Sequence, residues 1–189
     1  MTVPVIGFIG LGLMGGNMVE NLQNKNFKPI VMDLNKEIVA SVVARGGSEA
    51  PTAAELAAAC DIVMLCLTTS TVVEKVMYGE DGILVGIKEG AVVIDFGTSI
   101  PASTRKIGAD LAKKGAGMVD AALGRTPAHA LDGLLNIMAA GDQATFDKVK
   151  PILEMQGENI FYMGALGAGH TTKLINNFMG MTSVCAMSQ

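Results

Sequence analysis

The run Ile6-Gly7-Phe8-Ile9-Gly10-Leu11-Gly12-Leu13-Met14-Gly15-Gly16-Asn17-Met18 is an apolar strand that breaks into a glycine loop and continues with helical spacing. Each glycine has its own steric task if the backbone is to wrap a pyrophosphate. Gly10 makes the tight turn, Gly12 lets the chain approach the phosphates, and Gly15 lets the next helix lie close on its strand. The first N–H groups of that helix have no intrahelical acceptor, so they are available to an anion. Glycine loops of this kind also occur in methyltransferases and in plain turns, so the loop by itself is a weak signal and needs its context.

A second feature narrows it. After a helical segment carrying Met14, Met18 and Leu22, the residues Lys28 to Met32 read as a short strand ending at Asp33. A carboxylate about 20 residues past the loop can accept hydrogen bonds from both hydroxyls of an adenosine ribose. That pattern predicts NAD. NADP would set a phosphate beside Asp33, where Leu34, Asn35 and Lys36 follow, and Lys36 keeps NADP open as the other cofactor. Asp33 also fits a helix cap or a turn.

The 189 residues suffice for one α/β domain and fall short of two ordinary ones. Half of them are hydrophobic and 17% are charged, so a large core is expected. With a net charge of -4 and scattered basic residues, neither nucleic acid nor an anionic membrane is an expected partner. Cys60, Cys66 and Cys185 have neither metal spacing nor an even number for disulfides, which predicts a reducing, cytoplasmic setting. His129 and His170 have no third ligand nearby in sequence, so no metal site is expected. The start at Met1 to Pro4 lacks a basic segment, and Val5 to Leu13 is too short and glycine-rich for a signal or membrane segment.

Short apolar runs at Val5–Ile9, Ile30–Met32, Ile62–Leu67, Ala91–Asp95, Met118–Asp120, Leu135–Ala139 and Asn159–Tyr162 read as strands. Helical patterns lie between most of them, at Lys36–Arg45, Ala53–Ala59, Thr71–Met77, Ala102–Lys114 and Gln143–Glu154. This alternation predicts a Rossmann-type, doubly wound, mainly parallel α/β sheet. Ligands of such sheets lie beyond the carboxyl ends of the strands. The segments there are Gly10 to Gly15, Asp33, Thr68 to Ser70, Gly97 to Ser99 and Ala121 to Thr126. The hydroxyls among them also suit helix caps, Ser70 and Ser99 in particular.

From Gly167 onward a further helix is expected, with Lys173 its single charge and nothing charged from there to Gln189. Such a surface needs a cover. Either another subunit supplies it or the sequence stops inside a longer protein, and the absence of a Gly or Pro stop at Ser188-Gln189 favours the second. Lys173 and Asn177 share one helix face. Burial or a nearby positive charge lowers a lysine's pKa from about 10.4, which suits general acid and base work. A surface lysine is the other reading.

Taken in order, Gly7 to Gly15, Asp95-Phe96-Gly97-Thr98, Asp120-Ala121 to Gly133, and Gly169 to Asn177 resemble the β-hydroxyacid dehydrogenase family. That family includes 3-hydroxyisobutyrate dehydrogenase, tartronate semialdehyde reductase and sulfolactaldehyde reductase. The resemblance implies a Rossmann domain over residues 1–166 and, over 167–189, the start of a long interdomain helix. The family's all-helical second domain is expected to lie outside this chain. It also implies cofactor contacts at Gly10, Gly12, Leu13, Met14, Gly15, Asp33, Leu67, Thr68 and Thr98, a catalytic Lys173, and Asn177 at the substrate. The family's substrate loop reads Asp-Ala-Pro-Val-Ser-Gly-Gly, whereas this chain has Asp120-Ala121-Ala122-Leu123-Gly124-Arg125-Thr126. Gly124, Arg125 and Thr126 are therefore the expected holders of a small anionic substrate, Arg125 through a forked pair of hydrogen bonds. That variant resembles the sulfolactaldehyde reductase branch, where the anion is a sulfonate. Arg125 bridging to a surface acid such as Asp132 is the alternative.

The resulting expectation is an NAD-dependent oxidoreductase interconverting a short β-hydroxy acid and its semialdehyde, as a homo-oligomer or with a helical domain packed on the last helix. The rival classes are an S-adenosylmethionine-dependent methyltransferase and a non-catalytic dinucleotide-binding module.

Overall fold

A computed structural model describes residues 3–188; the outermost residues of both expected units, 1–2 and 189, lie outside the described residues. The chain begins with β1 (Ile6–Ile9), α1 (Leu13–Asn24), β2 (Ile30–Met32), α2 (Lys36–Ala44), β3 (Ser48–Glu49) and α3 (Ala53–Ala59). The middle holds β4 (Ile62–Leu65), α4 (Ser70–Tyr78), α5 (Ile83–Gly86), β5 (Val92–Asp95) and α6 (Pro101–Ala112). The remainder is β6 (Gly117–Gly124), α7 (Pro127–Asp132), β7 (Leu135–Ala140), α8 (Gln143–Gln156), β8 (Gly157–Tyr162) and α9 (Ala168–Met187).

All eight described strands form one sheet in the order β3-β2-β1-β4-β5-β6-β7-β8. Every neighbouring pair is parallel except β6 with β7. The chain winds outward from β1 through β2 to β3, then restarts at β4 on the other side of β1. The crevice between β1 and β4 is thus the switch point of a doubly wound sheet, and the glycine loop opens into it. Successive residues of the central strands feed opposite faces, as the two-residue period requires. Phe8, Met64 and Ile94 belong to one apolar core, and their neighbours Ile9, Val63, Leu65 and Val93 to the other. Both faces are covered by helices, and each fully buried side chain of this size contributes about 1.5–3 kcal/mol.

Four local expectations are corrected. The strand read as Met118–Asp120 continues to Gly124, so Ala121, Ala122 and Leu123 are strand residues, with Ala121 opposite Ala139 and Gly124 opposite Asn136. The strand read as Ile62–Leu67 stops at Leu65, leaving Leu67 and Thr68 in the loop. The cap of α4 is Thr69, which accepts from the Val72 amide, while Ser70 accepts from the Ile100 amide at 2.7 Å. Helix α6 has no side-chain cap at all and starts on Pro101; Ser99 instead donates to Asp95 at 2.8 Å.

Candidate active site

Gly10 and Gly15 have the close backbone contacts that their spacing predicts. Gly10 has a φ of +95°, and a Cβ there would overlap the Cys66 carbonyl oxygen and stand 3.0 Å from its carbon. A Cβ on Gly15 would overlap the Gly10 carbonyl oxygen. Gly12, the cap of α1, has nothing within 4 Å of that position and no side chain over the helix end. No side chain therefore covers that end of α1, as an anion site needs.

Asp33 is wired into the same loop. One carboxylate oxygen accepts from the Leu11 amide at 2.6 Å and the other from the Asn35 amide at 2.8 Å. The cap of α2 is Asn35, which leaves Asp33 at the mouth of the crevice rather than on a helix end. Lys36 is paired with Glu49 at 2.5 Å, which directs its charge to β3. A cleft of about 600 Å³ runs from Ile9 and Gly10 past Asp33 and Leu34, walled by Leu67, Val72 and Val76 and closed by Pro51, Thr52 and Gly79. An apolar slot with one carboxylate at its rim and a helix terminus beside it fits an adenosine diphosphate moiety. Gly10, Asp33 and Leu67 are the expected cofactor residues that line it; Pro51, Val72 and Val76 were missed by sequence reasoning. Val72 and Val76 fall in the segment Thr71–Met77, which read only as a helix.

Thr98 lies exposed in the loop after β5, and Thr68 exposed in the loop after β4. Leu13 is exposed and Met14 half-buried at the start of α1. The Asn17 side chain donates to the Pro127 carbonyl at 2.7 Å, which ties α1 to the segment that follows β6. No motif pointed to that contact.

Arg125, directly after β6, has a φ of +75°, an uncommon conformation for a residue with a side chain. Its guanidinium donates to the Leu134 carbonyl and to Glu158, both at 2.6 Å. The acid that meets it is thus Glu158 and not Asp132. Thr126 Oγ1 lies 2.7 Å from His129 Nδ1, and Gly124 ends the strand opposite Asn136.

Lys173 sits half-buried near the start of α9, and Asn177 is exposed one turn later. Loss of hydration pushes the Lys173 ammonium below its ordinary pKa. The helix that carries it packs on β6 and β7 and is anchored at its first turn by Asp120, whose carboxylate accepts from the Gly167 and His170 amides, each at 2.7 Å. Burial raises the Asp120 pKa from its ordinary value against those hydrogen bonds. His170 occupies the first turn of that helix. Cys66 lies just after β4, half-buried, with its thiol pushed up to about 12 by burial, which leaves it to packing rather than nucleophilic work. Among the described residues, no group of three or more His, Cys, Asp or Glu is placed to hold a metal ion.

Residues 5–164 match the family of the NAD binding domain of 6-phosphogluconate dehydrogenase. The chain belongs to that family. It is similar to 2-(hydroxymethyl)glutarate dehydrogenase of Eubacterium barkeri, 38% identical over 92% of this chain and 58% of that protein. It is 36% identical to 3-sulfolactaldehyde reductase of Escherichia coli K12, over 95% of this chain and 60% of the relative. Among solved structures, Mycobacterium tuberculosis 3-hydroxyisobutyrate dehydrogenase with L-serine superposes at a TM-score of 0.88 with 28% identity, over 94% of this chain and 60% of that one. The chain thus spans about three-fifths of the length of the proteins it matches. As an NAD-binding domain with β-hydroxyacid dehydrogenase relatives, it binds NAD(P), and the S-adenosylmethionine reading gives way.

Proposed function

We propose that this domain serves an NAD-dependent oxidoreductase that interconverts a short β-hydroxy acid and its semialdehyde, with Lys173 as the proton carrier. The observation that carries the reading is Lys173 itself. It is a half-buried lysine whose pKa burial lowers, on a helix docked against the strand that leads to Arg125. The cofactor, when bound, supplies the hydride acceptor or donor. In the oxidation direction the neutral amine of Lys173 takes the hydroxyl proton; in reduction its ammonium returns that proton to the forming alkoxide. Asn177, on the same helix face, orients the substrate oxygen. NAD is the proposed cofactor over NADP, because Asp33 would repel a phosphate on the ribose and Lys36 is engaged with Glu49.

Gly124, Arg125 and Thr126 are the proposed anion grip. Arg125 donates to Glu158 and Leu134 through one terminal nitrogen, which leaves its other donors for a carboxylate or sulfonate. That guanidinium and the similarity to a 3-sulfolactaldehyde reductase favour a sulfonate as the second reading. Helix α9 presents Leu174, Ile175, Phe178 and Met181 to solvent. Their cover is proposed to be a second subunit or a helical domain of the intact protein. No described helix is long and apolar enough to cross a membrane. The buried free thiol of Cys60 supports a reducing cytoplasm as the proposed location.

A screen of 3-hydroxyisobutyrate, glycerate and sulfolactate with NAD and NADP tests the reading, followed by NADH titration of Lys173→Ala. Turnover of one substrate class, severely reduced in the variant while NADH affinity stays near wild type, is the expected result. NADH binding with no turnover of any β-hydroxy acid by the intact protein would leave a dinucleotide-binding module. Retained turnover in the variant would remove Lys173 from the chemistry.

A further inference from the structure

Helix α7 begins directly after Arg125 and Thr126, so its placement sets where those two residues stand. Little within α7 can hold it there. Its six residues are about half the length at which a helix becomes marginal by itself in water. Thr126, its cap position, puts no side chain on the helix end, and Ala130 is its one buried residue. A single methyl is a small apolar anchor for a whole element.

The hold comes from a polar stripe on α1. Asn17, Asn21 and Lys25 are spaced four apart, so they stack along one face of that helix. Asn21 donates to the Met155 carbonyl at 2.7 Å, and Lys25 donates to the same oxygen. Gly133, just past the end of α7, fits closely over this group: a Cβ there would stand 2.7 Å from the Met155 oxygen, 3.0 Å from Lys25 Nζ and 3.3 Å from Asn21 Nδ2. The back of α7 is thus seated against α1 and the end of α8. At its front, Asn17 donates to the Pro127 carbonyl at 2.7 Å. Among the described residues, this is the one side-chain hydrogen bond that reaches the backbone of α7 from another element. A carbonyl oxygen only accepts, so the Asn17 amide must turn its nitrogen toward it.

We propose that Asn17 is a positioning residue for the substrate: it bolts the first turn of α7 to α1 and so fixes Arg125 and Thr126 relative to the uncapped start of that helix. Asn17 is the fifth residue of α1, beyond the N–H groups left for an anion, so its side chain serves α7 and not the cofactor phosphates. On the other flank Arg125 donates to the Leu134 carbonyl and to Glu158, which closes the base of the excursion. Without the Asn17 bond the front of α7 lifts away, and an anion must first reorder the turn. Its apparent affinity then falls with the fraction of chains in which the turn is closed. The consequence for the substrate rests on the proposed function; the tie between α1 and α7 does not.

Asn17→Leu, close in volume but without a donor, and Asn17→Gln, which keeps one, test the tie on this chain without turnover. The reporters are the Ala130, Gly133 and Leu134 amides, which donate to the Thr126, Ala130 and His129 carbonyls. In the Leu variant they should exchange about fivefold faster than in wild type, the loss of one hydrogen bond to backbone, while the Gln variant stays nearer wild type. NADH affinity should hold within about twofold in both. Unchanged exchange in the Leu variant, or a Gln variant as fast as it, overturns the tie, and a larger loss of NADH affinity would make Asn17 a cofactor residue instead. In the intact enzyme Asn17→Leu should raise the KM for the anionic substrate about two- to fivefold and leave kcat near wild type, because saturating substrate restores the turn. A loosened α7 with an unchanged KM refutes the positioning role. A tie that behaves as stated in an intact protein inactive on every hydroxy acid would remove the proposed function alone.

Discussion

Replacing Gly12 and Gly15 by alanine, one at a time, separates two tasks that share one motif. At Gly15 the added methyl would overlap the Gly10 carbonyl oxygen and stand 3.1 Å from both the Gly10 carbon and Phe8 Cε1. Neither neighbour can yield: one is backbone in a strained turn, the other a fully buried ring. Helix α1 must back away from β1. Such overpacking costs about 1–3 kcal/mol, and alanine's better helix propensity returns up to about 1 kcal/mol. The expected net loss is therefore about 1–2 kcal/mol, read as a lower urea midpoint at unchanged slope. At Gly12 the methyl meets nothing within 4 Å, and the backbone, at φ -62° and ψ -168°, is open to alanine. Stability should change by about 0.5 kcal/mol or less. The same methyl stands where a pyrophosphate would approach the loop, so the NADH dissociation constant should rise about tenfold or more, equal to 1.4 kcal/mol. Fluorescence titration measures it. A Gly12→Ala variant that binds NADH like wild type, or one that loses as much stability as Gly15→Ala, would refute this division of labour.

Three further outcomes are expected. Because burial lowers the Lys173 pKa, the unfolded chain binds more protons than the folded one between that lowered value and about 10.5, so stability rises with pH through this window. Lys173→Met should flatten that rise in urea titrations, and an unchanged slope would contradict it. Arg125→Gly removes a left-handed side chain that costs about 1 kcal/mol and an exposed ion pair of similar size, so stability should hold within about 1 kcal/mol. The KM for an anionic substrate of the intact enzyme should rise, and unaffected sulfonate and carboxylate kinetics would end the anion-grip reading. Asp120→Leu strands the Gly167 and His170 amides, a loss of about 3 kcal/mol in urea unfolding; a loss under 1 kcal/mol would show that they find other acceptors.

The elements legible in the sequence are those whose signal is local. The spacing of the glycine loop is such a signal, and the apolar runs of β1, β4 and β5 are set by burial on both faces, whereas Ser70 and Ser99, which read as caps, meet the Ile100 amide and Asp95 instead. Strand β3 is two exposed polar residues held by pairing with β2, so no alternation exists to find. The extension of β6 through Ala121 and Ala122 is made by β7 running against it, although alanine has little strand preference of its own. Arg125 meets Glu158, 33 positions away, and sequence offered only nearer acids such as Asp132. His170 read as a lone histidine, because its partners Asp95 and Asp120 belong to separate strands and meet it only through the sheet.

The reversal at β7 also sets an order of assembly. Gly124 meets Asn136 across a short connection, whereas Ile6 must wait for Ile62 before β1 and β4 can pair. Loop closure grows with the logarithm of length, so the first ring is cheaper by about 1.4 kcal/mol. Folding should therefore begin at β6 and β7, and the crevice between β1 and β4, the proposed dinucleotide site, should close late, after the rate-limiting step. A ligand bound there stabilises what forms last. In stopped-flow experiments NADH should slow unfolding and leave the refolding rate unchanged, and a cofactor that accelerates refolding would place the crevice in the nucleus instead.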